Sequence, residues 1–199
     1  SELALAFPEI ALGHITLGDT LRRLGQFQNS SEAYDRAIAL LGEEMPGHWI
    51  VYFARGITHE REDRWVQAED DMRRALRLNP DQPSVLNYLG YTFVERGENL
   101  DEALDMIERA VAAEPESGHI TDSLGWVLYR LGRYDEAVAP MERAAHLMAV
   151  DPVVNDHLGD VYWAVGRKLE AQFQWKRALS FVDPEDVDGD SDPERIRRK

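Results

Sequence analysis

The chain contains no cysteine, which excludes disulfide bonds and thiolate metal sites. It also lacks any run near the roughly 20 apolar residues that a membrane-spanning helix needs. We therefore predict no direct membrane insertion by these 199 residues. The first residues carry neither the basic region nor the apolar core of a signal peptide. Because the chain does not begin with methionine, we expect it to be a piece of a longer protein.

Basic residues are few relative to acidic ones. The 22 lysines and arginines stand against 37 aspartates and glutamates, and the formal net charge is −15. Affinity for nucleic acids comes largely from basic side chains that neutralise phosphates, so we predict no nucleic-acid partner. A basic or mixed-charge protein partner is compatible with this balance, although acidic surfaces more often serve solubility.

Sequence motifs for catalysis and cofactor binding are also missing. There is no GxSxG elbow, no glycine-rich phosphate loop and no HExxH pair. The segment DVDGDSD at 186–192 alternates carboxylates as calcium loops do, but Ser191 replaces the turn glycine and Arg197 replaces the closing glutamate. We predict no catalytic residue, no metal site and no cofactor, and hence a protein that is not an enzyme.

A glycine recurs along the chain at a nearly constant interval, usually after leucine. The successive spacings are 38, 34, 35 and 34 residues, which is the signature of a repeat architecture. The repeated glycines are Gly18, Gly56, Gly90, Gly125 and Gly159.

Four further columns accompany these glycines. Seven residues after each of these glycines comes a residue that interrupts the helical pattern, a glycine in four units and an aspartate in one. A small residue, a bulky residue and an alanine then follow at helical spacing. The breaks are Gly25, Asp63, Gly97, Gly132 and Gly166; the small residues are Ser30, Ala68, Ala103, Ala137 and Ala171; the bulky residues are Tyr34, Met72, Ile107, Met141 and Trp175; the alanines are Ala37, Ala75, Ala110, Ala144 and Ala178.

The spacing predicts two helices per unit. The mid-unit break separates a first helix from a second, and prolines such as Pro80 and Pro115 end the second helix. Small residues on both helices allow close approach, because larger side chains there would overpack the contact. The sequence thus predicts stacked helical hairpins.

The columns resemble those of the tetratricopeptide repeat (TPR) family. The closest copies read LNYLGYTFVERGENLDEALDMIERAVAAEP and TDSLGWVLYRLGRYDEAVAPMERAAHL. The resemblance implies an all-α, right-handed α-solenoid of about five tandem helix-turn-helix repeats. Two units depart from the pattern, since Ser30 replaces the usual alanine and Arg55 the usual leucine.

The predicted organisation covers nearly the whole chain. Residues 1–10 are expected to be the remnant of a preceding repeat, and 186–199 an acidic linker with a short polar capping helix. The five predicted repeats are 11–44, 49–82, 83–117, 118–151 and 152–185.

In this family the first helices line a concave groove that binds peptides. The groove positions that this resemblance implies are rich in aromatic side chains, which offer large contact area at low entropic cost. For Trp126 and Trp163, a seal between neighbouring units is the alternative. The candidate groove residues are Asn87, Tyr88, Tyr91, Asp122, Ser123, Trp126, Arg130, Asp156, Asp160 and Trp163.

The sequence therefore favours a scaffold or adaptor that binds a peptide or protein segment in this groove. The alternative is the regulatory or substrate-recruiting arm of a larger enzyme or envelope assembly. Self-association through exposed end repeats is a third hypothesis. The segments DSLGWVLYRLGRYDEAV and DHLGDVYWAVGR resemble bacterial cell-envelope TPR scaffolds, which favours the envelope or periplasm slightly over the cytoplasm.

Overall fold

The computed structural model describes residues 9–182 and 192–199, and all regular secondary structure in these ranges is helical. The predicted all-α architecture of tandem helical hairpins is confirmed. Most of the predicted remnant at 1–10, and the acidic linker up to residue 191, lie outside the described residues. Within the described part of the chain, no helix has the length and apolarity needed to cross a membrane.

In the described ranges, ten helices of 13 to 15 residues form five consecutive pairs, and a short helix follows them. A 3₁₀ turn at Pro46–His48 precedes the second pair. In chain order the helices are α1 (Glu9–Arg23), α2 (Phe27–Leu40), α3 (Trp49–Arg61), α4 (Trp65–Leu78), α5 (Pro83–Arg96), α6 (Leu100–Ala113), α7 (Gly118–Arg130), α8 (Tyr134–Leu147), α9 (Pro152–Ala164), α10 (Lys168–Phe181) and α11 (Pro193–Arg197).

The chain divides into two compact units, residues 1–85 and 86–199. In the first unit α1 pairs with α2 and α3 with α4. In the second unit α7 pairs with α8 and α9 with α10, and α11 packs on α10. Each core consists of the bulky and alanine columns of the second helices, all of them buried, together with apolar residues of the first helices.

The turn inside each hairpin requires a left-handed backbone. Gly132 and Gly166 have φ values of 75° and 84°, a conformation that glycine adopts without a steric penalty. In the second hairpin Asp63 takes the same conformation with φ 58°. Aspartate is one of the few other residues found there, so the degenerate break at this position still makes the turn.

The first helix of each hairpin approaches the second closely at the repeated glycine. A Cβ added to Gly125 would lie 2.5 Å from Met141 Cγ, and one added to Gly159 would lie 2.4 Å from Trp175 Cδ1. Real Cβ atoms do not come so near another carbon, so these positions require glycine. The small-residue columns therefore set the spacing of the hairpin, as predicted.

Two departures from the repeat pattern in the first unit have local explanations. Ser30 is fully buried, and its Oγ donates a 2.8 Å hydrogen bond to the carbonyl oxygen of Gly18. Arg55 binds the buried Asp71 through both Nε and Nη2, at 2.7 Å each, and its Nη1 donates to Asp35 at 2.6 Å. In each case a polar side chain at a packing position has a hydrogen-bond partner.

Candidate protein-binding site

The second unit has an open depression of about 350 Å³ on the side of its first helices. We call it the inner depression. Three successive first helices contribute to it: α5, α7 and the start of α9. Its lining residues are Asn87, Tyr88, Tyr91, His119, Asp122, Ser123, Asp151, Val153 and Val154.

Helix α5 contributes two tyrosines and an asparagine. Tyr88 and Tyr91 are three residues apart and therefore lie on one face of the helix, and both are half-buried. Asn87 is half-buried as well, and its Oδ1 is a buried atom that accepts no hydrogen bond from the described residues. Leaving a buried acceptor unpaired costs about 1–3 kcal/mol, a cost that a ligand donor relieves if the Asn87 side chain turns toward the depression.

Helix α7 contributes an acidic group to the lining of the depression. Asp122 is buried, and its two carboxylate oxygens lie 3.0 and 3.2 Å from His157 Nδ1 on α9. Ser123 Oγ donates to the carbonyl oxygen of His119 at 3.1 Å, and the His119 ring is exposed. The depression thus has one carboxylate that is already paired with an imidazole.

His157 is held by contacts on several sides. Its ring stacks on Trp126 with centroids 4.0 Å apart. Burial alone would lower the pKa of His157, but the charge of Asp122, its hydrogen bond, and the charges of Asp156 and Asp160 together raise the pKa. The imidazole is therefore stabilised in its charged form, next to the depression.

The start of α9 completes the lining with residues that are not among the ten predicted groove residues. Asp151 is the N-cap of α9, and its side chain accepts a 3.0 Å hydrogen bond from the backbone nitrogen of Val154. Val153 and Val154 add apolar contact area. An Asp-Pro pair marks a helix start. The pair Asp151 and Pro152 could therefore have indicated that α9 begins at this edge of the depression.

Of the ten predicted groove residues, five line the inner depression: Asn87, Tyr88, Tyr91, Asp122 and Ser123. The other five lie elsewhere in the second unit. Trp126 is only 7% exposed, its ring stacks with those of Tyr129 and His157, and its Nε1 donates to Glu95 at 2.6 Å. The structure thus places it as a seal between repeats. Arg130 Nη1 lies 3.8 Å from the same Glu95.

Asp156 and Asp160 on α9 bind the C-terminal residues of the chain itself. Arg195 Nη2 donates to Asp156 at 2.5 Å, and Lys199 Nζ lies 2.8 Å from Asp156 and 2.6 Å from Asp160. Asp156 is 1% exposed. The two carboxylates are therefore occupied by basic side chains of the segment that contains α11.

Trp163 lies at the far end of α9. It is 42% exposed, its ring is 5.5 Å from that of Trp175, and Lys168 Nζ lies 4.8 Å from its centroid. It is not among the residues of the inner depression. Among the described residues, no group of three histidine, aspartate or glutamate side chains could hold a metal ion.

Comparison with known proteins places the chain in a family. The family model for the tetratricopeptide repeat matches residues 15–83 and 87–152. The TPR repeat-containing protein PA4667 of Pseudomonas aeruginosa is 32% identical over 91 residues, which are 46% of this chain. The chain covers 15% of that relative's length.

Solved structures show the same fold. The crystal structure of PilW, described as a widely conserved type IV pilus biogenesis factor, has a TM-score of 0.77 at 17% identity and covers 88% of this chain, which covers 79% of it. Pseudomonas aeruginosa PilF has a TM-score of 0.75 at 18% identity, with coverage of 89% and 78%. At these identities the likeness concerns the fold alone. Because the family model matches more than half of its residues, the chain belongs to the tetratricopeptide repeat family.

Proposed function

We propose that the protein is a scaffold or adaptor that binds a segment of a partner protein in the inner depression. The observation that supports this most strongly is the convergence of α5, α7 and α9 on one open depression lined by two tyrosines. The depression spans parts of three helices. It therefore suits an extended or helical segment rather than a compact small molecule.

The chemistry of the lining supports protein recognition. Tyr88 and Tyr91 present large, stiff rings with a polar tip, a combination that is enriched at protein interfaces. Asn87, Asp122 and Asp151 add polar groups that can fix the register of a bound backbone or side chain. A single segment of modest size would bind with a dissociation constant of about 1 μM, or roughly −8 kcal/mol.

The test is a double variant, Tyr88→Ala with Tyr91→Ala. Partners captured from native cells by the wild-type protein are quantified by mass spectrometry, and each is then measured against the variant. We expect binding to weaken by at least about tenfold, because truncation of central interface aromatics typically costs 2 kcal/mol or more.

Tyr134→Ala is the matched control. Tyr134 is a tyrosine, 42% exposed, on the second helix α8, outside the inner depression. Its truncation should leave partner binding unchanged, and circular dichroism should report folded protein for both variants. Equal partner binding by wild type and the folded double variant would contradict the proposed site.

The proposal also concerns where the protein acts and whether it is the recruiting arm of a larger protein. The scaffold acts in the bacterial cell envelope, in keeping with the likeness of its fold to PilW, a type IV pilus biogenesis factor. The recruiting arm of a larger enzyme or assembly, the alternative from the sequence, would use the same depression. Fractionation of native cells tests where the protein acts, since recovery with cytoplasmic markers would contradict an envelope location.

A further inference from the structure

We infer that the inner depression selects a partner segment that carries a lysine or arginine side chain. This inference rests on the proposed function and adds the chemistry of the ligand to it. Three observations support it: the acceptors of the lining, the way the chain binds its own basic residues one repeat further on, and the aromatic rings beside the carboxylates.

The lining is rich in acceptors and poor in cations. Asp122, Asp151 and Asn87 offer oxygen atoms, and no lysine or arginine is among the lining residues. The Asn87 Oδ1 accepts nothing from the described residues. Two imidazoles accompany the two carboxylates: His157 is in contact with Asp122, and the exposed His119 is itself a lining residue. A ligand with N–H donors and positive charge complements this set.

The chain already binds a basic segment at the equivalent position of the next repeat. Asp122 and Asp156 both stand three residues before the repeat glycine, so they occupy matching places on α7 and α9. Asp156 receives Arg195 and Lys199. The same position, one repeat earlier, faces the open depression.

Aromatic rings accompany the carboxylates in both places. Lys199 Nζ lies 5.6 Å from the Trp175 ring centroid while it binds Asp156 and Asp160. The inner depression also has two rings, Tyr88 and Tyr91, which come from the first helix of the preceding repeat, whereas Met141 holds the repeat position of Trp175. A cation between a carboxylate and a ring face gains from both contacts, which a neutral side chain of equal length does not.

The test uses peptide libraries with one fixed central residue. Four immobilised nonapeptide libraries carry lysine, arginine, glutamine or glutamate at the fifth position, with uncharged mixed residues elsewhere. The whole protein is applied to each and the bound fraction is measured. We expect the lysine and arginine libraries to retain at least about fivefold more protein than the glutamine library, as one close charge pair allows. The glutamate library should retain the least.

Two variants, each of which removes one negative charge, test whether the preference for lysine arises in the inner depression. Asp151→Asn removes a charge from the depression, and asparagine preserves the N-cap of α9. Glu108→Gln removes one charge from an exposed position on α6, outside the depression. We expect Asp151→Asn to reduce the preference for lysine over glutamine at least about twofold, and Glu108→Gln to leave it unchanged.

The outcomes separate this inference from the proposed function. If the glutamine library binds as well as the lysine library, and the Tyr88→Ala/Tyr91→Ala variant loses both, peptide binding stands and the selection of a cation is wrong. An equal effect of Glu108→Gln and Asp151→Asn would also overturn it, because overall acidity would then explain the preference. If no library depends on the two tyrosines, both proposals fail.

Discussion

At the scale of single residues, Arg55 occupies a position where the four other repeats have leucine. It fits because Asp71 lies beneath it: the aspartate side chain is 3% exposed and accepts both guanidinium hydrogen bonds. The two residues are 16 apart in sequence and on different helices. Only the register of the hairpin brings them together, so the pair could not be predicted from the repeat columns.

Restoring the family leucine at this position should destabilise the first unit. In Arg55→Leu the buried Asp71 loses its main partner, at a cost of about 3 kcal/mol. The measurement is the shift of the urea unfolding transition. The double variant Arg55→Leu with Asp71→Leu should recover to within about 1 kcal/mol of wild type. An unchanged transition in the single variant would contradict a stabilising role for the pair.

His157 should make the stability of the second unit depend on pH. Asp122, Asp156 and Asp160 raise its pKa above the ordinary value despite burial. A raised pKa contributes stability that is fully present below the unfolded value of about 6.5 and is lost as pH rises through the folded pKa. The stability advantage of wild type over His157→Gln should therefore be largest below about pH 6.5 and shrink as the pH rises above that value.

Thermal melting of both proteins at pH values on both sides of about 6.5 checks the prediction. His119→Gln is the control, because the His119 ring is exposed while the His157 ring is buried. Its melting temperature should follow that of wild type at every pH. A constant gap between wild type and His157→Gln would mean that the imidazole acts through packing alone.

At the scale of the helices, glycine serves two different purposes that a sequence pattern does not distinguish. At Gly159 an added Cβ would meet the Trp175 ring, whereas at Gly13 in α1 nothing lies within 4 Å. Gly159→Ala should therefore cost about 1–3 kcal/mol by overpacking. Gly13→Ala should stabilise α1 by up to about 1 kcal/mol through helix propensity. Urea unfolding measures both, and equal effects would refute the packing explanation.

The short helix α11 is the second element with a testable contribution. Its segment buries Ile196 and neutralises Asp156 through Arg195 and Lys199. Arg195→Ala with Lys199→Ala leaves a buried carboxylate unpaired, and we expect a loss of about 2 kcal/mol. We also expect faster amide hydrogen exchange in α9 and α10.

Arg197→Ala with Arg198→Ala is the matched control for α11. It removes the same charge, but those two side chains are exposed and their partners are Glu194 and Asp192. Exposed pairs contribute little, so this variant should remain within about 0.5 kcal/mol of wild type. Equal losses in both variants would show that the net charge of the segment, rather than the contact with Asp156, matters.

At the scale of the whole molecule, the repeat columns predicted the fold because each column corresponds to one packing requirement. Gly125 and Met141 illustrate this, since a small residue on one helix meets a bulky one on the other. The candidate site was less predictable. Whether Trp126 is exposed or buried depends on Tyr129 and His157, which both stack with its ring.

The repeat pattern also could not predict that basic side chains of the C-terminal segment bind Asp156 and Asp160. Their partners come from a segment 39 or more residues away, whose sequence belongs to no repeat column. Residues on one helix face can be chosen by spacing, but spacing does not show which other segment covers that face.

Self-association through an end repeat stays a prediction that concerns the whole molecule. Helix α1 exposes Ile10 and Leu17, and Leu24 follows it in the same seven-residue register. If copies associate through this stripe, the mass measured by light scattering rises with concentration. Leu17→Lys should abolish that rise, because a charge would be buried in the contact. A mass that depends equally on concentration in wild type and variant would exclude α1 as the interface.

The central claim, that a partner protein contacts the inner depression, is tested most directly by photo-crosslinking in native cells. A photoreactive phenylalanine analogue replaces Tyr91 in the depression, or Tyr134 on α8 as the control position. We predict a discrete crosslinked product with a second protein from position 91 and none from position 134. Products from position 134 alone, or the same products from both, would contradict the proposed site.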